Sequence, residues 1–241
     1  MDLQQIVDRF AEGIAQVDLG IQNQKHNFLR GKSYSSGVKT LGERDLVEEV
    51  SNWWIRTYPS EFSSSSSYAL AREVKYTSIP YAKCDLVFSS DGSSMNLPEW
   101  AIEVKHISFI GNNGKNNDFN VQKMLSPYLK DRSLIHDIKR LGEAPMGRNQ
   151  AVLGYCFEYS HDSVQLGSSL FSDNADLEVL DNIEKVLKVN KAPLEIEPIA
   201  RFANQIFVQE KLAEPIVTSK FNGAWTHPAG GAGTVFAWKI L

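Results

Sequence analysis

The sequence predicts an α/β protein (an α+β mixed sheet) with helices packed on both faces. Three observations lead there. Segments 2–19 and 41–58 repeat their apolar residues close to the helical period. Three runs between residues 68 and 107 have the length and alternation of strands. A further amphipathic segment and an apolar run at 151–159 complete the order helix, strand, strand, strand, helix, strand.

In the first helix, 2–19, Leu3, Ile6, Val7, Phe10, Ile14 and Val17 form one stripe that ends near Gly20. The polar stretch 23–40 reads as loop. Leu46, Val47, Val50, Trp53 and Trp54 define the second helix, which Pro59 stops. Five serines at 63–67 read as a flexible connection to strands at 68–77, 82–89 and 98–107. "NNGKNND", 112–118, is a turn-rich loop. A helix at 130–141 buries Leu134, Ile135, Ile138 and Leu141, and the strand 151–159 follows. Beyond it, "NADLEVLDNIEKVLKV" reads as a helix, and strands are expected at 194–207, 214–221 and 234–241.

With 241 residues and 42% hydrophobic content, the chain is long enough for one sizeable core. No apolar run approaches the length of a membrane span, and the N-terminus is acidic and amphipathic, so no membrane and a cytoplasmic location are expected. Cys84 and Cys156 lie in apolar runs and read as buried thiols. A net charge of −4 argues against a surface that is basic all over, though it allows a local basic groove. The histidines show no zinc-hydrolase spacing. The glycines of "THPAGGAGTVF" lack a phosphate loop's Lys-Ser/Thr ending and precede a strand, so they read as a tight turn. Trp225 and His227 beside them fit either a pocket or an interface.

Chemistry concentrates in "PEWAIEVKHI", 98–107. Alternation puts Ala101, Glu103 and Lys105 on one face and Trp100, Ile102 and Val104 on the other. In "YAKCDLVFSS" Asp85 shares a face with Lys83 and Val87. The Asp91-Gly92 turn signal folds the two strands about residue 94 and sets Asp85 opposite Glu103. Their Cβ atoms would then stand ~5 Å apart, where two carboxylates repel by roughly 3 kcal/mol at an effective dielectric constant of about 20. A shared Mg²⁺ offsets that repulsion, since hard oxygen ligands suit it. Lys105 would orient or help deprotonate a water, or stabilise charge on a phosphate. The alternative is the wet side of an amphipathic hairpin.

Asp85, seventeen residues, then "EVK" at 103–105 resembles the PD-(D/E)xK nuclease superfamily, whose fold is restriction-endonuclease-like, with an αβββαβ core. Cys84 stands where the motif's name has Pro. The resemblance covers about 41–159 of a single domain, 1–241, and leaves helix 2–19 and the extension 160–241 for recognition or dimerisation. It implies Asp85 and Glu103 as metal ligands, the Val104 carbonyl as a further ligand, Lys105 as the residue assisting the attacking water, and Mg²⁺, with Mn²⁺ able to substitute. Such enzymes often add an acid from the preceding helix. Glu43 lines up with that helix's buried face, Glu49 borders it and Glu48 opposes it. An acid in a helix's first turn also complements the macrodipole without any catalytic role.

Lys123, Lys130, Arg132, Lys139 and Arg140, on or near the helix at 130–141, are candidate nucleic-acid contacts, or a solvated helix face. His136 shares their side, and His106 faces away from Lys105. The expected activity is Mg²⁺-dependent endonucleolytic hydrolysis of double-stranded DNA in restriction or another defence, by a homodimer with two sites. RNA stays open as a substrate. The rivals are a non-catalytic nucleic-acid-binding module and a nuclease effector switched on by a ligand or partner.

Overall fold

In the computed structural model of the chain, residues 1–22, 26–27, 32–33, 36–90 and 97–241 are described. The Asp91-Gly92 turn and half of the loop 23–40 lie outside them. Helix α1 (Leu3–Val17) is capped by Asp2, whose side chain accepts from Gln5 N, and it buries the predicted stripe. Two-residue strands β1 (His26–Asn27) and β2 (Lys32–Ser33) pair with each other. Helix α2 (Glu43–Thr57) buries Leu46, Val47, Val50 and Trp54. Strands β3 (Leu70–Lys75), β4 (Lys83–Phe88) and β5 (Trp100–Ile107) follow, then α3 (Leu134–Glu143) and β6 (Asn149–Phe157). Helices α4 (His161–Leu170), α5 (Asn174–Asn190) and α6 (Glu197–Gln209) lead to β7 (Val217–Ala224) and β8 (Gly231–Lys239).

The six long strands form one mixed sheet in the order β3-β4-β5-β6-β8-β7, in which only β5 and β6 are parallel. Side-chain contacts assign its faces. Phe10 of α1 meets Tyr155 of β6 and Trp54 of α2 meets Phe88 of β4, so α1 and α2 cover one face. Arg140 of α3 reaches Glu103 of β5 and Phe207 of α6 meets Trp238 of β8, so α3 and α6 cover the other. Buried aromatics and aliphatics fill both interfaces. A Cβ on Gly154 would stand 2.2 Å from the ring of Phe236, so that close approach requires a glycine. Cys84 and Cys156 are buried free thiols.

The C-terminal residues are part of this sheet rather than an appendage, since β8 pairs with β6 over seven consecutive residues. The N-terminal segment is bound to them through buried Asp18, whose Oδ1 accepts from Val38 N and Oδ2 from Thr226 N, both at 2.8 Å. Among the described residues no helix is long and apolar enough to cross a membrane.

Three expectations need correction. Residues 194–207 do not form a strand: Leu194 makes one isolated bridge to Tyr159, and then α6 begins. Its signal is Pro198 in the first turn followed by buried Ala200, Ala203 and Phe207, at helical spacing but inconspicuous because two are alanines. Helix α4 was not anticipated. Ser160 starts it through a reciprocal capping box with Ser163. The helix expected from 130 begins at Leu134, because Arg132 has a left-handed backbone, φ 46°, and Ser133 is the N-cap. Lys130 and Arg132 therefore precede α3.

Candidate active site

The charged residues of β5 are interior. Glu103 is 2% exposed and Lys105 9%, both beneath α3, where a hairpin with a wet face would leave them in water. Strands β4 and β5 pair at Phe88↔Trp100, Val87↔Ala101 and Leu86↔Ile102, the register centred on residue 94 that the sequence predicts. Continued in that register the ladder would join Cys84 to Val104, but there the strands separate. Val104 N donates to Asp85 Oδ2 instead, at 2.7 Å. The next β5 amide on that edge, His106 N, donates to Glu43 Oε2 at 2.5 Å. Two carboxylates thus replace the strand partner that β5 loses. An extended residue points its N–H and C=O to the same side, so the Val104 carbonyl also faces this fork.

The other side chains close around Lys105. Its Nζ lies 3.4 Å from Glu43 Oε1 and 3.6 Å from Asp137 Oδ2 of α3. Arg140, one helical turn past Asp137, contacts Asp137 Oδ1 at 2.7 Å and Glu103 Oε1 at 2.8 Å. Tyr76, just after β3, donates its hydroxyl to the same Glu103 oxygen at 2.5 Å. Glu43, Asp85, Glu103 and Asp137 thus face only two cations.

Electrostatics follow from that imbalance. Burial, reinforced by Asp85, pushes the Glu103 carboxyl up to about 8. Burial likewise raises Asp85 to about 6, although the Val104 amide and a hydrogen bond with Glu103 favour its ionised form. Both carboxyls are therefore held above the ordinary carboxylate range, each by burial and by the other acids around it. Asp137 is also raised, by burial, against the pull of Lys105 and Arg140. Lys105 is raised as well, for a different reason: burial would lower it, but Asp137, Glu43, Asp85 and Glu103 outweigh burial and hold it as an ammonium.

This excess of oxygen and charge suits a hard divalent cation. Among the described residues no three Asp, Glu, His or Cys side chains are grouped closely enough to enclose an ion by themselves. Mg²⁺ does not require that, because it keeps several waters and binds through one or two carboxylates. Asp85, Glu103 and the Val104 carbonyl supply such a set. Asp137 Oδ2, also buried, has no hydrogen bond among the described residues and meets only the Lys105 ammonium, at 3.6 Å. Beside Asp85 opens a cleft of about 320 Å³ whose lining includes Arg44, Glu48, Arg72 and Glu73.

Of the residues singled out in the sequence, Glu43, Asp85, Glu103, Val104 and Lys105 come together. Glu48 lies apart, 3.1 Å from Arg72. Arg140 is not on a solvated face: its guanidinium is engaged by Glu103 and Asp137, so it belongs to the site rather than to a row of phosphate contacts. Lys139, Lys130 and Arg132 are exposed, the last two on the loop before α3, and Lys123 is half-buried in a 3-10 turn (Val121–Met124). His136 bonds Ser133 through Nδ1, at 3.1 Å. Asp137 and Tyr76 are the residues that sequence reasoning missed. Asp137 left a signal, since it lies three residues after Leu134 and four before Leu141, on the stripe that α3 buries. Tyr76 left none.

No protein-family model matches the chain, and neither does any curated protein or solved structure.

Proposed function

We propose that this chain is a Mg²⁺-dependent endonuclease that hydrolyses DNA phosphodiester bonds, with Mn²⁺ able to substitute. The observation that carries the proposal is the β4–β5 fork, where Asp85 and Glu103 meet on adjoining strands with Lys105 one step further along the same face. The order α2, β3, β4, β5, α3, β6 with β5 parallel to β6 supports it further. A restriction-endonuclease-like αβββαβ core has that order.

Asp85, Glu103 and the Val104 carbonyl would hold the ion, which when bound stabilises negative charge developing on the phosphate. Held as an ammonium, Lys105 acts as a donor. It orients a water for in-line attack on phosphorus and stabilises a non-bridging oxygen as the P–O bond to the leaving sugar oxygen breaks. Glu43 and Asp137 fix Lys105 for that role; the attacking water gives up its proton to solvent, and the leaving oxygen takes a proton from solvent. Cutting both strands of a duplex calls for two such sites, hence a homodimer, in a setting of restriction or similar defence.

The test is cleavage of supercoiled plasmid, linear duplex and RNA in Mg²⁺ or Mn²⁺. Wild type should cut and Asp85→Asn and Lys105→Ala should not. Calorimetry of Mg²⁺ binding supplies a readout independent of turnover. If neither ion binds and Lys105→Ala behaves like wild type, the proposal gives way to a non-catalytic binding module.

One observation favours a latent form of the same enzyme. Arg140 and Tyr76 both hold Glu103 by one oxygen, Oε1. An activating ligand or partner that draws them away would free that oxygen as well, and cell extract or nucleotide messengers should then unmask cleavage that Asp85→Ala abolishes.

A further inference from the structure

The residue after Lys105 faces the opposite side of the sheet, and there a second polar cavity opens. Its volume is about 180 Å³, and Lys39, His106, Ser108, Asn112 and Asn120 line it, with exposed Asp118 at the rim. Lys39 is 4% exposed. Its Nζ donates to the Ile110 carbonyl at 3.1 Å and lies 5.3 Å from the centre of the Phe157 ring. An ammonium carries three donors, so two have no partner among the described residues. Among the described residues no carboxylate pairs with it, and burial lowers it to about 8. His106 Nε2, also buried, has no hydrogen-bond partner among the described residues.

The remaining walls are committed to the fold. Ser108 Oγ donates to Ile110 O, and Asn120 bridges β5 by accepting from Ser108 N and donating to His106 O. A buried cation with one partner is costly, and a buried ring nitrogen with none calls for a reason. Both residues line the same cavity, with Nε2 enclosed in its wall.

We propose that this cavity binds a phosphate group between Lys39 Nζ and His106 Nε2. Its size decides the scale, because pockets for drug-sized molecules run from about 300 Å³ upward. One tetrahedral oxyanion fits, and a whole nucleotide does not. Asp118 at the rim turns away a second negative charge, which favours a single phosphate over a polyphosphate. The site stands apart from the hydrolytic one, yet the two share a wall: Lys39 is four residues before Glu43, and His106 is the residue whose amide Glu43 holds. A phosphate spanning Lys39 and His106 would therefore brace the segment that carries Glu43.

The test is titration of inorganic phosphate into the full chain, with chloride at matched ionic strength as control, followed by melting temperature and amide NMR shifts. A saturable, phosphate-specific rise is expected, with Kd at least tenfold weaker in Lys39→Met. Methionine fills the same space without the unpaired charge, so this variant should fold. If it does not, His106→Phe, which keeps the stack on Tyr155 but deletes Nε2, carries the same expectation. Phosphate acting no differently from chloride, or binding both variants as it binds wild type, overturns the proposal. A short duplex in EDTA identifies the source. Competition with phosphate points to a backbone phosphate of the nucleic acid, and simultaneous binding to a free anion. Cleavage is not measured, so failure here and failure of the hydrolytic reading are separate results.

Discussion

The two ends of the sheet solve the same problem differently. From β6 to β8 the ladder runs unbroken through seven residue pairs, and Phe236 and Trp238 bury their rings beside it. From β4 to β5 it stops after three pairs, and carboxylates from Asp85 and Glu43 take over two β5 amides. The first end maximises apolar burial. The second gives up strand pairing to hold charge in the interior, where unpaired backbone groups and ions are both costly. A sheet can open without losing its hydrogen bonds, provided the side chains at the opening are acids, and those acids are then available for chemistry.

Stability measurements can break this comparison. Trp238→Ala removes a fully buried ring from the continuous end and should destabilise the protein by about 3–5 kcal/mol in urea unfolding. Asp85→Asn, at the fork, should change stability by less than about 1 kcal/mol in EDTA, because the amide oxygen still accepts from Val104 N. A large loss from Asp85→Asn would mean that the fork is structural first.

The pH dependence sharpens the contrast. The Glu103 carboxyl rises from an ordinary 4.5 to about 8 in the folded protein, so its contribution is fully present below about 4.5 and is lost as pH climbs through about 8. Folding thus retains a proton that the unfolded chain releases, and metal-free stability should fall with rising pH. The buried histidines, lowered by burial, act in the opposite direction only below their ordinary 6.5. Between pH 6.5 and 8 a decline of about 1–2 kcal/mol is therefore expected, and Glu103→Gln should flatten it. A smaller effect calibrates both: Ser160→Ala removes the α4 capping box, outside either ladder, and should cost about 1 kcal/mol with no change in that slope.

The fork was legible because hairpin symmetry is arithmetic. A turn signal at Asp91-Gly92 and alternation on each side place Asp85 against Glu103, and the structure pairs their neighbours in that register. Glu43 was legible for a similar reason, since helical angle relates it to Leu46 and Val50. Arg140 was not, because its role depends on a carboxylate thirty-seven residues earlier on another element, and long basic side chains on a helix ordinarily reach solvent. Tyr76 needed the path of the chain after β3. Helix α6 is missed by the strand-like reading of 194–207 because Leu194 and Ile196 alternate with Glu195 and Glu197, while the alanines that mark its buried face are weakly hydrophobic.

The carboxylate of Asp18 has a consequence for anyone who would cut this protein down. It joins the turn ahead of α2 to the start of the β7–β8 connection, so first and last segments are held by one buried side chain. Trimming to the αβββαβ portion would orphan that clasp, strip α1 from its seat and leave β6 as a raw edge ready to recruit another chain. The six-stranded sheet runs from β3 to β7 and cannot be cut at β6 without opening it.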